Sequence, residues 1–147
     1  MDLSPNAASV ALIRNGEVLL IQRAFEPWRG AWTLPGGRTE PGESAEDCAR
    51  RELGEELGLM MEDLHPVTTM KLGASDRFRL AVFATTRFGG EIVPSNEIAA
   101  IRWVQPDRIA ELSTTPDLAQ VLTRAFALFR QGERNIVLAE VHAQDTL

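Results

Sequence analysis

The sequence predicts a single α/β domain, a mixed sheet flanked by helices. Three observations carry that reading. The chain has 147 residues, one domain's worth and enough to bury a self-sufficient core. Short β-branched runs interleave with stretches of helical period. No repeat, linker or low-complexity segment interrupts them.

Taken in order, Ser9 to Ile13 and Val18 to Arg23 are strand-like runs split by Asn15-Gly16, a hairpin signal. A loop rich in bulky residues follows (Phe25, Pro27, Trp28, Trp32) and ends in Leu34-Pro35-Gly36-Gly37. Pro41-Gly42 marks a turn. Ser44-x-x-Asp47 reads as a capping box opening a helix, and Gly58 suits the position just past its end at Leu57. Val67 to Leu72 and Phe78 to Thr86 read as strands, the second closed by a Phe88-Gly89-Gly90 turn. Ile98 to Val104 is another strand, and Pro106 to Leu112 a short helix. Thr115-Pro116 supplies an N-cap and a first-turn proline for a long helix to about Arg130. Leu118, Val121, Leu122, Ala125, Phe126 and Phe129 are spaced to pack its inner face. Asn135 to Val141 reads as a late strand.

Composition is ordinary for a globular protein: 44% hydrophobic and 24% charged residues. The single cysteine, Cys48, excludes an internal disulfide framework and suits a reducing cytosol. The N-terminus lacks a secretory pattern, and no apolar run approaches the ~20 residues that span a bilayer. A soluble, cytoplasmic protein is expected. The net charge is −6, which argues against a nucleic-acid polymer or an anionic membrane as partner. The charge is uneven: Gly37 to Asp63 holds nine acids and three bases, the whole of the imbalance. Such an island is a solvated face, a cation site or a contact for a basic partner.

The helix within that island breaks the amphipathic rule. With Ala45 at zero and about 100° per residue, Cys48, Ala49, Leu53 and Leu57 define the inward face. Glu52 falls near 340° and Glu56 near 20°, inside that stripe, with Glu55 at its edge near 280°. Like charges one turn apart repel, and partial burial raises the cost of ionising each. A hard divalent cation such as Mg²⁺ removes both penalties. Arg51 is spaced to pair with Glu55 at i,i+4. Gly36-Gly37 lets the backbone approach a ligand, and a free carbonyl there offers one more metal oxygen.

Gly37, five residues, Glu43, seven residues, then Arg51-Glu52-Leu53-Gly54-Glu55-Glu56-Leu57-Gly58-Leu59 reproduces the Nudix box, G-x5-E-x7-R-E-U-x-E-E-x-G-U. All seven fixed positions and both aliphatic ones are filled, over the 23 residues from Gly37 to Leu59. The chain therefore resembles the Nudix hydrolases, with further likeness in the N-terminal hairpin, Leu34-Pro35, and Glu97 through Trp103-Val104. The resemblance implies an α/β/α sandwich and Mg²⁺- or Mn²⁺-dependent hydrolysis of a nucleoside diphosphate linked to another moiety. It implies that Glu52, Glu55, Glu56 and the Gly37 carbonyl ligate metal, that Arg51 orients a glutamate, and that Glu43 sits near the ions. Glu52 is the first choice for proton acceptor and Glu97 the second, since family members differ.

Substrate markers outside the box are few. The chain has no tyrosine, unlike members that cleave dinucleoside polyphosphates. Ala74, Ser75 and Asp76 fill the window where many ADP-ribose hydrolases carry a proline, and the NADH-hydrolase signature is absent. Trp28 and Trp32, with Phe25 nearby, are candidates for stacking on a base. Arg23, Arg29, Arg77 and Arg79 are candidates for phosphate or sugar contacts. General likeness of the Trp28–Gly37 stretch leans toward ADP-ribose or a similar nucleoside diphosphate sugar, a small nucleotide substrate. Triphosphate pool cleaning is the alternative, and a non-catalytic nucleotide sensor is the alternative of another class. Either a monomer or a homodimer fits.

Overall fold

The computed structural model describes residues 4–72 and 77–130. β1 (Ala7–Arg14) and β2 (Glu17–Arg23) form the expected hairpin. Asn15 and Gly16 sit at φ 54° and 75°, the double left-handed turn that matches strand twist. β1 is buried along Ala7–Ile13 because it is central: it pairs in parallel with β7 (Phe78–Thr85), Ala7 opposite Leu80 through Leu12 opposite Thr85. Its first three residues also pair with β4 (Gly36–Arg38), Ala8 opposite Gly37. β6 (His65–Leu72) is antiparallel to β7, while β3 (Trp32–Thr33) and β9 (Ile98–Val104) both pair with β2. One parallel contact in an otherwise antiparallel sheet makes it mixed.

Alternation along β1 and β2 divides two cores. Ala8, Val10, Leu12, Leu19 and Ile21 point to one face, where α1 (Ala45–Leu57) contributes Cys48, Ala49, Leu53 and Leu57. Ala11, Ile13, Val18 and Leu20 point to the other, where Leu118, Val121, Leu122, Ala125 and Phe126 of α2 (118–130) close the layer. The result is the helix–sheet–helix sandwich.

α1 begins and ends as its local sequence dictates. The Ser44 hydroxyl accepts the Asp47 N–H at 3.1 Å, satisfying one orphan donor of the first turn. Gly58 takes φ 72°, and Leu59 N–H reaches back to the Leu53 carbonyl.

Three expectations are corrected. Phe88-Gly89 is not simply a turn: it forms β8, paired with β5 (Met60–Met61) in a separate two-stranded sheet. The short helix is a 3-10 segment, Pro106–Glu111. The second long helix starts at residue 118, not at Thr115-Pro116, because Asp117 has φ 65° and cannot continue a right-handed helix. The expected Asn135–Val141 strand lies outside the described residues. Among the described residues, no helix is long and apolar enough to cross a membrane.

Candidate active site

One face of α1 meets the β4 backbone and the segment that leads into β9, where Glu52 and Glu97 both lie close enough to Glu56 to act on its charge. Glu56 is only 8% exposed. Its Oε2 accepts the Gly36 N–H at 3.1 Å. Burial pushes its carboxyl up to about 7, against that hydrogen bond and helped by the negative charges of Glu52 and Glu97. Burial also raises Glu52. Glu52 packs so tightly on Gly37 that a β-carbon there would lie 2.4 Å from its Cδ. The glycine of β4 is therefore required by close approach, not by a left-handed backbone.

A single guanidinium organises the rest. Arg51 Nη1 donates to Glu52 Oε1 at 3.0 Å and to Glu55 Oε2 at 3.2 Å. Its Nε and Nη2 grip the two oxygens of Glu43 at 2.8 and 2.9 Å. Nη2 also donates to the Arg38 carbonyl. Four acceptor groups around one planar cation hold the rotamers fixed. These bonds pull Glu43 down to about 2, chiefly through Arg51, and push Arg51 further up from its ordinary value.

Glu43, expected near the ions, is joined to Glu52 and Glu55 through Arg51. One of its oxygens accepts from Arg51 Nε and the other from Arg51 Nη2 and the Glu40 N–H. Glu43 is placed as the partner that aims Arg51. The Gly37 carbonyl faces α1 and accepts the Cys48 thiol at 3.5 Å. Cys48 is a core residue, its thiol pushed up to about 11 by burial.

Glu97 joins the site from a distant part of the sequence. Val93 N–H and Ser95 N–H donate to the Leu57 and Glu56 carbonyls at 2.9 and 2.8 Å, so this segment satisfies the open end of α1. Glu97 then lines a cavity of about 270 Å³ with Arg23, Phe25, Gly36 and Glu56. Arg23 is pinned by Nε to the Pro27 carbonyl at 2.7 Å.

The donor set suits a divalent ion: carboxylate oxygens in a partly buried setting, with the Glu56 carboxyl pushed up to about 7 by burial. Among the described residues, no three acids already converge on one point. Arg51 draws the Glu52 and Glu55 oxygens toward itself, and Glu55 remains 60% exposed.

A second cavity, about 460 Å³, lies beside the first and shares Leu34 with it. Trp28 lines it, more than half exposed at φ 64°, with Thr33, Met70, Leu80, Val82 and Asp117. Ser9 also lines it, buried, with a hydroxyl that meets no hydrogen-bond partner among the described residues. Thr33 and Thr115 pair through their hydroxyls at 2.9 Å.

The remaining candidates fall elsewhere. Trp32 packs on the α2 core as part of β3, so its ring is structural. Arg29 is exposed and lies 3.9 Å from Glu26, outside both cavities. Arg79 donates to the Ser4 carbonyl, tying down the N-terminal segment. Arg77 is exposed, its carbonyl held by Asn6, and lines neither cavity. Sequence reasoning missed Ser9 and Asp117. The one available signal was a hydroxyl inside the apolar run Ala7–Ile13.

Comparison with known proteins agrees with this geometry. The family model described as the NUDIX domain matches residues 3–125. The NAD-capped RNA hydrolase NudC of Stutzerimonas stutzeri is 32% identical over 140 residues, 92% of this chain and 49% of that protein. The chain thus spans about half the length of this relative. A putative 8-oxo-dGTP diphosphatase of Bacillus subtilis is 32% identical over 105 residues, 68% of this chain and 65% of the relative. Among solved structures, the MutT NUDIX hydrolase from Burkholderia pseudomallei superposes with a TM-score of 0.72 at 28% identity, covering 82% of this chain and 98% of that one. The box, the sandwich and the matched span together establish that the chain belongs to the Nudix family.

Proposed function

We propose that the protein is a divalent-metal-dependent pyrophosphohydrolase that cleaves the phosphoanhydride of a small nucleotide. The observation that carries the reading is the buried Glu56 carboxyl, with its raised pKa, close to Glu52 and Glu97 and lining a cavity that adjoins a larger one at Leu34. Glu52, Glu55 and Glu56 would hold the ion, Mg²⁺ or Mn²⁺, with the Gly37 carbonyl as a further oxygen. Such an ion would supply charge neutralisation for the diphosphate and a more acidic water.

The chain's own residues do the rest. Arg51 keeps Glu52 and Glu55 in fixed rotamers through Nη1. Glu52, its carboxyl raised by burial and held by Arg51 Nη1, is the assigned proton acceptor. Glu97 is the second choice, from the cavity wall. The larger cavity takes the base: Trp28 offers a ring face, and the orphan Ser9 hydroxyl and Asp117 offer polar contacts. Arg23, beside Glu56, faces the phosphates.

The preferred substrate is a nucleoside diphosphate joined to a second moiety, such as ADP-ribose, because the cavity lined by Glu56 and Glu97 adjoins a second, larger one at Leu34. A triphosphate is the second reading, favoured by the named activity of the Bacillus subtilis relative. The name of NudC keeps capped RNA in the test set.

A panel of ADP-ribose, nucleoside triphosphates and NAD-capped RNA with Mg²⁺, scored by released products, tests the assignment. Glu56→Gln should abolish turnover while leaving the fold intact. An unchanged rate in that variant would falsify the metal-site assignment.

A further inference from the structure

Phe25 has no structural task that explains it. Its ring is 54% exposed and belongs to neither hydrophobic core. It nevertheless lines the 270 Å³ cavity whose other walls include Glu56, Glu97, Arg23 and Gly36. An aromatic face left in water beside anionic groups gains nothing for folding. It becomes useful when a flat ring covers it.

The loop holding Phe25 is restrained. Ala24 N–H donates to the Glu97 carbonyl at 3.1 Å, Gly30 N–H to the Arg23 carbonyl at 2.9 Å, and Arg23 N–H to the Ala31 carbonyl at 3.0 Å. Arg23 Nε closes the loop on Pro27. Ordering a ring on such a loop costs little when a ligand arrives.

The two cavities meet at Leu34 and stand on either side of the β4 entry. Ser9 of the larger cavity lies directly opposite Gly36 of the smaller one in the strand register. A ligand with its nucleoside in the larger cavity and its diphosphate at Gly36 and Glu56 would already enter the cavity that Phe25 lines.

We infer, resting on the pyrophosphohydrolase reading, that Phe25 is a specificity-determining residue whose exposed face stacks on the ring of the second moiety beyond the diphosphate. The substrate class this selects is a nucleoside diphosphate bearing a cyclic group, a sugar or a second nucleoside. A triphosphate ends in phosphate oxygens and has no ring to place there.

Steady-state kinetics of the wild type and of Phe25→Ala, Phe25→Leu and Phe25→Trp test this, with ADP-ribose and NAD on one side and ATP and GTP on the other. Stacking of a flat base on an aromatic side chain is strong enough that its loss should raise KM about tenfold for NAD, and by less for ADP-ribose, whose second ring is a saturated sugar. kcat should stay within about twofold, since Phe25 lies outside the proposed catalytic carboxylates. Phe25→Trp should restore KM, and Phe25→Leu, which keeps bulk without a π face, should not. KM for the triphosphates should be unaffected by all three variants. Equal effects on both substrate classes, or no effect on ring-bearing substrates, would overturn the inference. A wild type that cleaves triphosphates alone overturns it while leaving the pyrophosphohydrolase reading standing. A wild type that cleaves nothing in the panel removes both.

Discussion

Gly37→Ala separates chemistry from folding at one atom. The added β-carbon would lie 2.4 Å from Glu52 Cδ and 2.6 Å from each of its oxygens. Ordinary carbon contacts begin at about 3.5 Å, so the carboxylate must retreat by about 1 Å. Glu52 is the far end of a flexible side chain, and the backbone need not move. Gly37 is not among the residues at positive φ, so alanine is allowed there and even reduces the freedom of the unfolded chain slightly. Stability should therefore change by less than about 1 kcal/mol. Activity should not survive so well, because a displacement of about 1 Å in a catalytic group costs on the order of 100-fold. Gly36→Ala is the contrast. Its β-carbon meets the Ala8 carbonyl oxygen and the Ser9 Cα, which are backbone atoms of the paired strand and cannot yield without breaking the sheet. Thermal melts and Mg²⁺-dependent product release on both variants provide the assay. A Gly37→Ala protein with the wild-type melting temperature and more than about half the wild-type rate would refute the placement of Glu52.

The raised Glu56 pKa makes a stability prediction for the ion-free protein. The folded carboxyl holds its proton up to about 7, against 4.5 ordinarily, so the folded state binds more protons than the unfolded one within that window. The Glu56 contribution should be fully present below about pH 4.5 and be lost as pH rises to about 7, by on the order of 3 kcal/mol. Urea midpoints in chelator should follow that slope, with Glu56→Gln much flatter; a wild-type curve that rises over the window would contradict it. Arg51→Lys loses the planar fork that joins Glu43, Glu52 and Glu55, and should lower metal affinity or kcat about 10- to 100-fold, read by titration calorimetry and turnover. Ser44→Ala removes the helix cap and should cost about 1 kcal/mol, roughly 3 °C in a thermal melt, with the rate per folded molecule unchanged.

What could be read from the sequence was what local chemistry decides. Asn15-Gly16 requires its turn whatever surrounds it, and Ser44 and Gly58 bracket α1 through bonds within one helical turn. The intrusion of Glu52 and Glu56 into the apolar stripe of α1 was visible because helical period alone places them. The rest depends on partners distant in sequence. Phe88-Gly89 has strand character only because Met60–Met61 lies alongside. The Trp32 ring went to the α2 core because Gln22, opposite Trp32, fixes the register of β3. The grip of Arg51 on both oxygens of Glu43, eight residues apart in sequence, needed the turn before α1 to bring them together. Ser9 looked like one more strand residue until Leu34, Val82 and Val121 were arranged around it as a cavity.

The bonds from Val93 and Ser95 to the last carbonyls of α1 have a consequence for divergence among related chains. They tie the approach to Glu97 to the C-terminal end of α1, so an insertion between Val93 and Glu97 should shift Glu97 relative to Glu56. The Ala24–Gly30 loop is anchored at its two ends, and neither Phe25 nor Trp28 is needed by the cores. Its tip can be rewritten without disturbing the carboxylates. Selection for a new substrate should therefore act on the loop before the box, and a directed library confined to residues 25–29 should change preference while preserving the chemistry.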